Sequence, residues 1–289
     1  MTRIRDLAAK DVGRGSEVLM TFSRRDLFHA ARLFATGAAR RALVVTGFYI
    51  PGASSPAAES DGPVGAVEIA SALRAMGGDA WLVSDEWCAP VVSAAAAGDV
   101  PDDHVLISPA GAGFDEWLAS VGRLVRERGI DSLVYIERVG PSRDGDPRNM
   151  RGVNISRWTA PLSRLTELGL RTIGVGDGGN EIGMGRIDSL PIEDVVDHGE
   201  RIACTVPTER LIISGTSNWG GHALVCSMRV MGHPELDPLL GDSWHRGVLR
   251  RVADAGGLDG VTMLNTPTVD GLSEERYYEE IRALSGLAR

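Results

Sequence analysis

The chain has 289 residues, 43% hydrophobic and 24% charged, with a formal net charge of −9. This is globular composition on a chain long enough to bury a sizeable core. The acidic balance argues against nucleic-acid or anionic-membrane partners, which need a basic face, and no apolar run approaches the ~18 residues of a membrane span.

Lys10 is the sole lysine. A pyridoxal phosphate enzyme needs a Schiff-base lysine and a Walker A loop needs G-x-x-x-x-G-K-[ST]. Neither can be built unless Lys10 serves, and it lies in an N-terminal stretch expected to fray. Site cations are therefore arginines, which suit bidentate clamping of carboxylate or phosphate. Cys88, Cys204 and Cys226 are far apart, with no zinc spacing and no disulfide framework, as a reducing compartment would have it. Met1–Gly15 lacks an apolar h-region, so it does not read as a secretory signal, and Asp6 and Asp11 count against a transit peptide. The expected location is cytoplasmic.

Apolar spacing predicts a first helix over Arg25–Arg40, followed by a buried strand, Ala42–Thr46. A glycine- and serine-rich loop to Pro63 leads into a helix over Val64–Met76, with Pro63 near its start. Ala80–Val83 is the next strand, Trp87–Ala97 a helix and His104–Ser108 a strand. Phe114–Arg128 is an amphipathic helix ended by Gly129, and Ser132–Glu137 a strand. Arg157–Leu168 reads as helical, Arg171–Val175 and Arg210–Ser214 as strands, and Gly220–Val230 as a helix. His245–Ala255 and Glu274–Leu287 complete the helices, with a short strand expected at Gly260–Leu264. Strands alternating with helices predict an α/β fold: a three-layer, Rossmann-like, mostly parallel sheet with helices on both faces. No linker or repeat interrupts residues 1–289, which read as a single domain. Ligands of such sheets bind beyond the carboxyl ends of the strands, so the loops there carry the candidates.

The Thr46–Pro63 loop is longer than a strand-to-helix connection requires and contains the acids Glu59 and Asp61. Its run into a helix resembles an anion cradle. In the Ile136–Gly152 loop, Glu137 stands at a strand end, followed by Arg138, Arg143, Arg148 and Arg151. Gly174–Gly185 reads G-V-G-D-G-G-N-E-I-G-M-G. It satisfies G-x-G-x-x-G, yet Asp177 and Glu181 would repel a pyrophosphate, and no clear amphipathic helix follows. Those acids suit a cation or an ammonium group better. In the Ser214–Leu224 segment, Ser217 and Asn218 precede a helix start able to bind a carboxylate, and His222 reads equally as an acid–base group or a packed side chain.

These motifs carry a resemblance. T-G-F-x-I-P at Thr46–Pro51, E-R-x-G-x-x-x-D-G at Glu137–Gly145, R-G-x-x-I at Arg151–Ile155, G-D-G-G-N-E-I-G-M-G at Gly176–Gly185 and S-N-W-G at Ser217–Gly220 resemble the D-glutamate cyclase-like family over nearly the whole chain. In vertebrates that domain forms the C-terminal part of a mitochondrial enzyme converting D-glutamate to 5-oxo-D-proline and water. The chain looks like the domain alone. The resemblance implies a hydro-lyase in which the amine attacks the γ-carboxylate. Glu137, Asp177 and Glu181 are then candidates for base, acid and ammonium recognition. Arg138 or Arg151 would clamp a carboxylate, with Asn180, Ser217, Asn218, Thr46 and Gly47 as further substrate contacts. Asp177 and Glu181 are candidate ligands of a metal, and their hard oxygens suit Mg²⁺ or Mn²⁺. The partner is a small amino acid, and self-association stays open. An amidohydrolase, a phosphate-ester enzyme and a non-catalytic amino-acid or nucleotide module are the rival readings.

Overall fold

The computed structural model describes residues 1–289. Its strands are β1 (Arg41–Val45), β2 (Tyr49–Ile50), β3 (Ala57–Ala58), β4 (Asp79–Asp85), β5 (Val105–Ser108), β6 (Ser132–Ile136), β7 (Arg171–Gly176) and β8 (Arg210–Ile213). The α-helices are α1 (Thr2–Ala8), α2 (Ser16–Leu19), α3 (Asp26–Ala35), α4 (Pro63–Ala75), α5 (Ala89–Ala96), α6 (Phe114–Arg128), α7 (Ser189–Val195), α8 (Gly199–Ile202), α9 (Ser217–Val230), α10 (Asp242–Asp254) and α11 (Glu274–Ala288).

Six strands form one parallel sheet in the order β5-β4-β1-β6-β7-β8. Alternate residues of each strand feed two separate cores. Ala42, Val44, Leu82, Val134 and Ile136 pack with α3, α4, α9 and α11 on one face. Leu43, Val45, Trp81, Val83, Leu133 and Tyr135 pack with α6 and the α7–α8 region on the other. Burial of both faces explains why these strands read as unbroken apolar runs rather than alternating ones. The three-layer, Rossmann-like expectation describes this arrangement.

The chain leaves β1 toward β4 on one side, while β6 joins β1 from the other. That reversal opens a crevice at the carboxyl ends of β1 and β6. Helix α9 lies at its base, buried along nearly its whole length. Gly221 lets it approach α4, since a Cβ there would stand 2.9 Å from the Gly65 Cα.

Three local expectations are corrected. Gly260–Leu264 is a turn and bend rather than a strand, because Asp259 Oδ1 accepts from the Val261 and Thr262 amides and curls the backbone. The Arg157–Leu168 helix is two 3₁₀ segments, Ser156–Trp158 and Leu162–Leu168, separated where Pro161 lacks an amide hydrogen. The N-terminus does not fray: α1 buries Ile4 and Ala8, and the Gly215 amide donates to Ala8 O at 2.8 Å. No helix is long and apolar enough to cross a membrane.

Candidate active site

The crevice holds a cleft of about 50 Å³, room for a few waters. Its lining includes Glu59, Glu137, Asp177 and Asp270, with Arg14, Arg151 and Asn180. Each acid reaches it from a different loop.

Glu137 follows β6 with φ of 45°, a left-handed conformation that costs a non-glycine residue of order 1–3 kcal/mol. Such strain persists only where the surroundings impose it. Here the opposite wall is Gly62, where a Cβ would come within 2.6 Å of the Glu137 Cβ. The Ser217 hydroxyl donates to Glu137 Oε2 at 2.6 Å. Asp61 ends the β1 loop and caps α9: Oδ2 accepts from the Ser217 amide at 2.7 Å and Oδ1 from the Asn218 amide at 2.8 Å. That helix start is thereby filled by the protein's own carboxylate.

Asp177 follows β7, and its Oδ2 accepts from Arg14 Nη1 at 2.6 Å. Arg14 Nη2 donates to Asp270 Oδ1 at 2.7 Å, so one guanidinium bridges two acids. Arg14 is aimed by a local device. Asp11 Oδ1 accepts from the Arg14, Gly15 and Ser16 amides, and Gly13 and Gly15 take the positive φ that the tight turn needs. One oxygen from each of Asp61, Glu137 and Asp177 lies within 4.8 Å of the others.

Crowding dominates the electrostatics. Burial, and then the charges of Glu181, Glu59 and Asp61, push the Glu137 carboxyl well above its usual range. Burial with Asp270 and Asp61 does the same to Glu59. Asp177 is raised by burial even though Arg14 opposes the shift. Asp61 moves to about 7, through burial and Asp270, against the two α9 amides. A carboxyl whose pKa is raised on folding stabilises fully below its unfolded pKa and progressively less as pH climbs through the folded one. For Asp61 the window runs from 3.8 to about 7. Metal-free protein should therefore lose melting temperature between about pH 5 and pH 8 in thermal scans, and Glu59→Gln should reduce that loss.

The residues singled out from the sequence fall into two groups. Glu137, Asp177, Asn180 and Arg151 line the cleft, with Arg151 exposed at its rim. The others lie outside the lining. Arg138 is spent beneath it, paired with Asp85 at 2.7 Å and donating to Gly47 O and Ala160 O. Glu181 Oε1 accepts from the Asp177 and Gly178 amides at 2.7 and 2.6 Å and so shapes the loop. The Asp61, Glu137 and Asp177 oxygens converge beside it, while Glu181 Oε2 is buried without a partner. Ser217 supports Glu137. Asn218 ties the Gly62 and Gly65 amides to α9. Gly47, at φ of 110°, packs against Ser84 and Cys88. The buried Thr46 hydroxyl has no partner. His222 is wholly buried among helices.

Arg14 and Asp270 were not anticipated. Their signals in the sequence are faint: glycines flank Arg14, and Asp270 opens an Asp-Gly turn.

A family model described as D-glutamate cyclase-like, C-terminal, matches residues 4–285. The chain belongs to this family. Human mitochondrial D-glutamate cyclase is 33% identical over 206 residues, covering 67% of this chain and 33% of that protein. The chain thus spans about a third of the length of this curated relative. The family assignment and the sheet agree on where to look, since the glycine-rich string that carries the resemblance is the loop presenting Asp177.

Proposed function

We propose that this chain is a hydro-lyase that closes D-glutamate to 5-oxo-D-proline and water. The observation that carries this reading is the convergence of Asp61, Glu137 and Asp177 at the carboxyl end of the sheet, in a family whose human relative is named D-glutamate cyclase.

The proton balance explains the need for such a site. The ammonium must lose two protons while its nitrogen bonds the γ-carbon. The departing γ-oxygen must gain two protons to leave as water. A cluster of carboxyls held partly protonated near neutrality can take the first pair and give the second. Glu137, raised by burial and its neighbours, would donate to the leaving oxygen. Asp177 and Asp270 form the wall for the ammonium, where a guanidinium nitrogen already sits between them. Arg151 at the rim is the cation available for a substrate carboxylate. Asn180 adds an amide to the lining, while its Nδ2 is held by Arg148 O. Glu181 acts as a positioning residue through the Asp177 amide. The all-oxygen trio also suits Mg²⁺ or Mn²⁺, which would polarise the γ-carboxylate. The three buried, unpaired cysteines fit a reducing compartment.

The test is incubation with D-glutamate, with and without Mg²⁺ or Mn²⁺, following 5-oxoproline by chiral chromatography. Product is expected, with more formed when the ion is present. No product under any of these conditions overturns the reading for this chain.

A further inference from the structure

Away from the cleft, helices α4, α9 and α10 bring three ionisable side chains together with no solvent access: Glu68, His222 and His245. His222 Nδ1 lies 2.7 Å from Glu68 Oε1, and His245 Nε2 lies 3.2 Å from His222 Nδ1. His245 Nε2 is 3.6 Å from the other carboxylate oxygen, Glu68 Oε2. The two rings meet edge to face at 88°, with centroids 4.6 Å apart.

Protons alone satisfy this cluster poorly. His222 Nε2 sits 3.0 Å from Ser285 Oγ on α11. The Ser285 hydrogen is claimed by Leu240 O at 2.7 Å or Ile281 O at 2.8 Å. With Ser285 as acceptor, His222 carries its proton at Nε2, where Cys226 Sγ also lies 3.4 Å away. A neutral His222 then turns a bare lone pair on Nδ1 toward a carboxylate oxygen. Adding a proton at Nδ1 repairs that contact but leaves Glu68 Oε2 buried without a partner. An orphaned polar atom in a dry interior is destabilising.

We propose that Glu68, His222 and His245 form a second metal centre for a zinc-class divalent ion, separate from the cleft. Two imidazole nitrogens and one carboxylate supply three protein ligands of a four-coordinate ion. A tetrahedral zinc with bonds of about 2.0–2.1 Å sets its donors about 3.3 Å apart. The nitrogen–nitrogen spacing is 3.2 Å, and the nitrogen–oxygen spacings of 2.7 and 3.6 Å straddle that value. Ser285 is the outer partner that fixes the His222 tautomer, whereas His245 Nδ1 has no such partner. Because the ligands come from three helices, the ion clamps that layer together and loads as the chain folds.

The experiment uses full-length protein carrying no histidine tag, expressed with zinc and dialysed against EDTA. Metal content is read by mass spectrometry and coordination by X-ray absorption. One tightly held ion per chain is expected, with two imidazole shells that the all-oxygen cleft cannot provide. Asp177→Asn should retain this ion, and His245→Gln should lose it together with the imidazole signature. A metal-free protein that also shows no cobalt absorption bands after refolding with Co²⁺ would overturn the centre and leave a His222–Glu68 ion pair. An ion with oxygen ligands only would do the same. The absorption measurement on the unmodified chain decides the matter even if His245→Gln fails to fold.

Discussion

Replacing Glu137 by glutamine is expected to lower D-glutamate turnover by about 10²–10⁴-fold, the range for loss of a positioned acid–base group. The melting temperature should stay equal or rise. The two effects separate because the site is electrostatically unfavourable in the folded state. Glu137 is buried beside Glu59, Asp61 and Glu181, all of which raise its carboxyl. An amide removes that repulsion, keeps the acceptor for the Ser217 hydroxyl and fills the same volume. Stability gained at the expense of activity marks a residue retained for chemistry. The left-handed φ of 45° at the same residue points the same way, since glycine would relieve that strain. Initial rates and thermal unfolding measured on one preparation check both halves. A loss of activity that tracks a loss of stability would instead make Glu137 a structural residue.

The layer order was legible because each buried strand is a short apolar run between turn residues, and each helix keeps its stripe. Phe114–Arg128 and its Gly129 stop were read to the residue, the glycine adopting φ of 62°. Arg157–Leu168 was misread because helical spacing outweighed Pro161, and Gly260–Leu264 because an apolar pair masked the Asp259 turn. Within the cleft, acids at strand ends could be found by position alone. What spacing cannot reveal is which side chains spend their charge on the protein itself. Arg138 stands next to Glu137 in sequence yet is consumed by Asp85 and two carbonyls. Glu137 turns the chain at a left-handed φ of 45° just past β6, so adjacency was poor evidence of a shared site. Glu181 shows a related limit: one oxygen takes two loop amides while the other is left buried without a partner, a division the sequence does not show. Arg14 lies 163 residues from Asp177 and 256 from Asp270, separations over which local pattern carries no information.

Arg14 carries the second large prediction. Its side chain is 17% exposed, while those of Asp177 and Asp270 are 2% and 3% exposed. It is the one basic residue among the main influences on Glu59, Asp61 and Asp177, and in each case it opposes the upward shift. Removing one partner from a buried charge network typically costs about 3–5 kcal/mol. For a chain of this size Arg14→Ala should lower the melting temperature at pH 8 by on the order of 10 °C. The loss should shrink toward about pH 5, because the raised carboxyls can then take up protons in place of the guanidinium. Arg14→Ala combined with Asp270→Asn should recover part of the loss at pH 8, since one unpaired charge is gone. Thermal scans of the single and double variants at both pH values test this. A drop of equal size at the two pH values, unrelieved by Asp270→Asn, would show that Arg14 contributes packing rather than charge. The same bridge has a functional consequence. A substrate ammonium entering between Asp177 and Asp270 must take the place of a guanidinium nitrogen. Arg14→Ala should therefore change KM for D-glutamate more than kcat, the reverse of the change expected for Glu137→Gln.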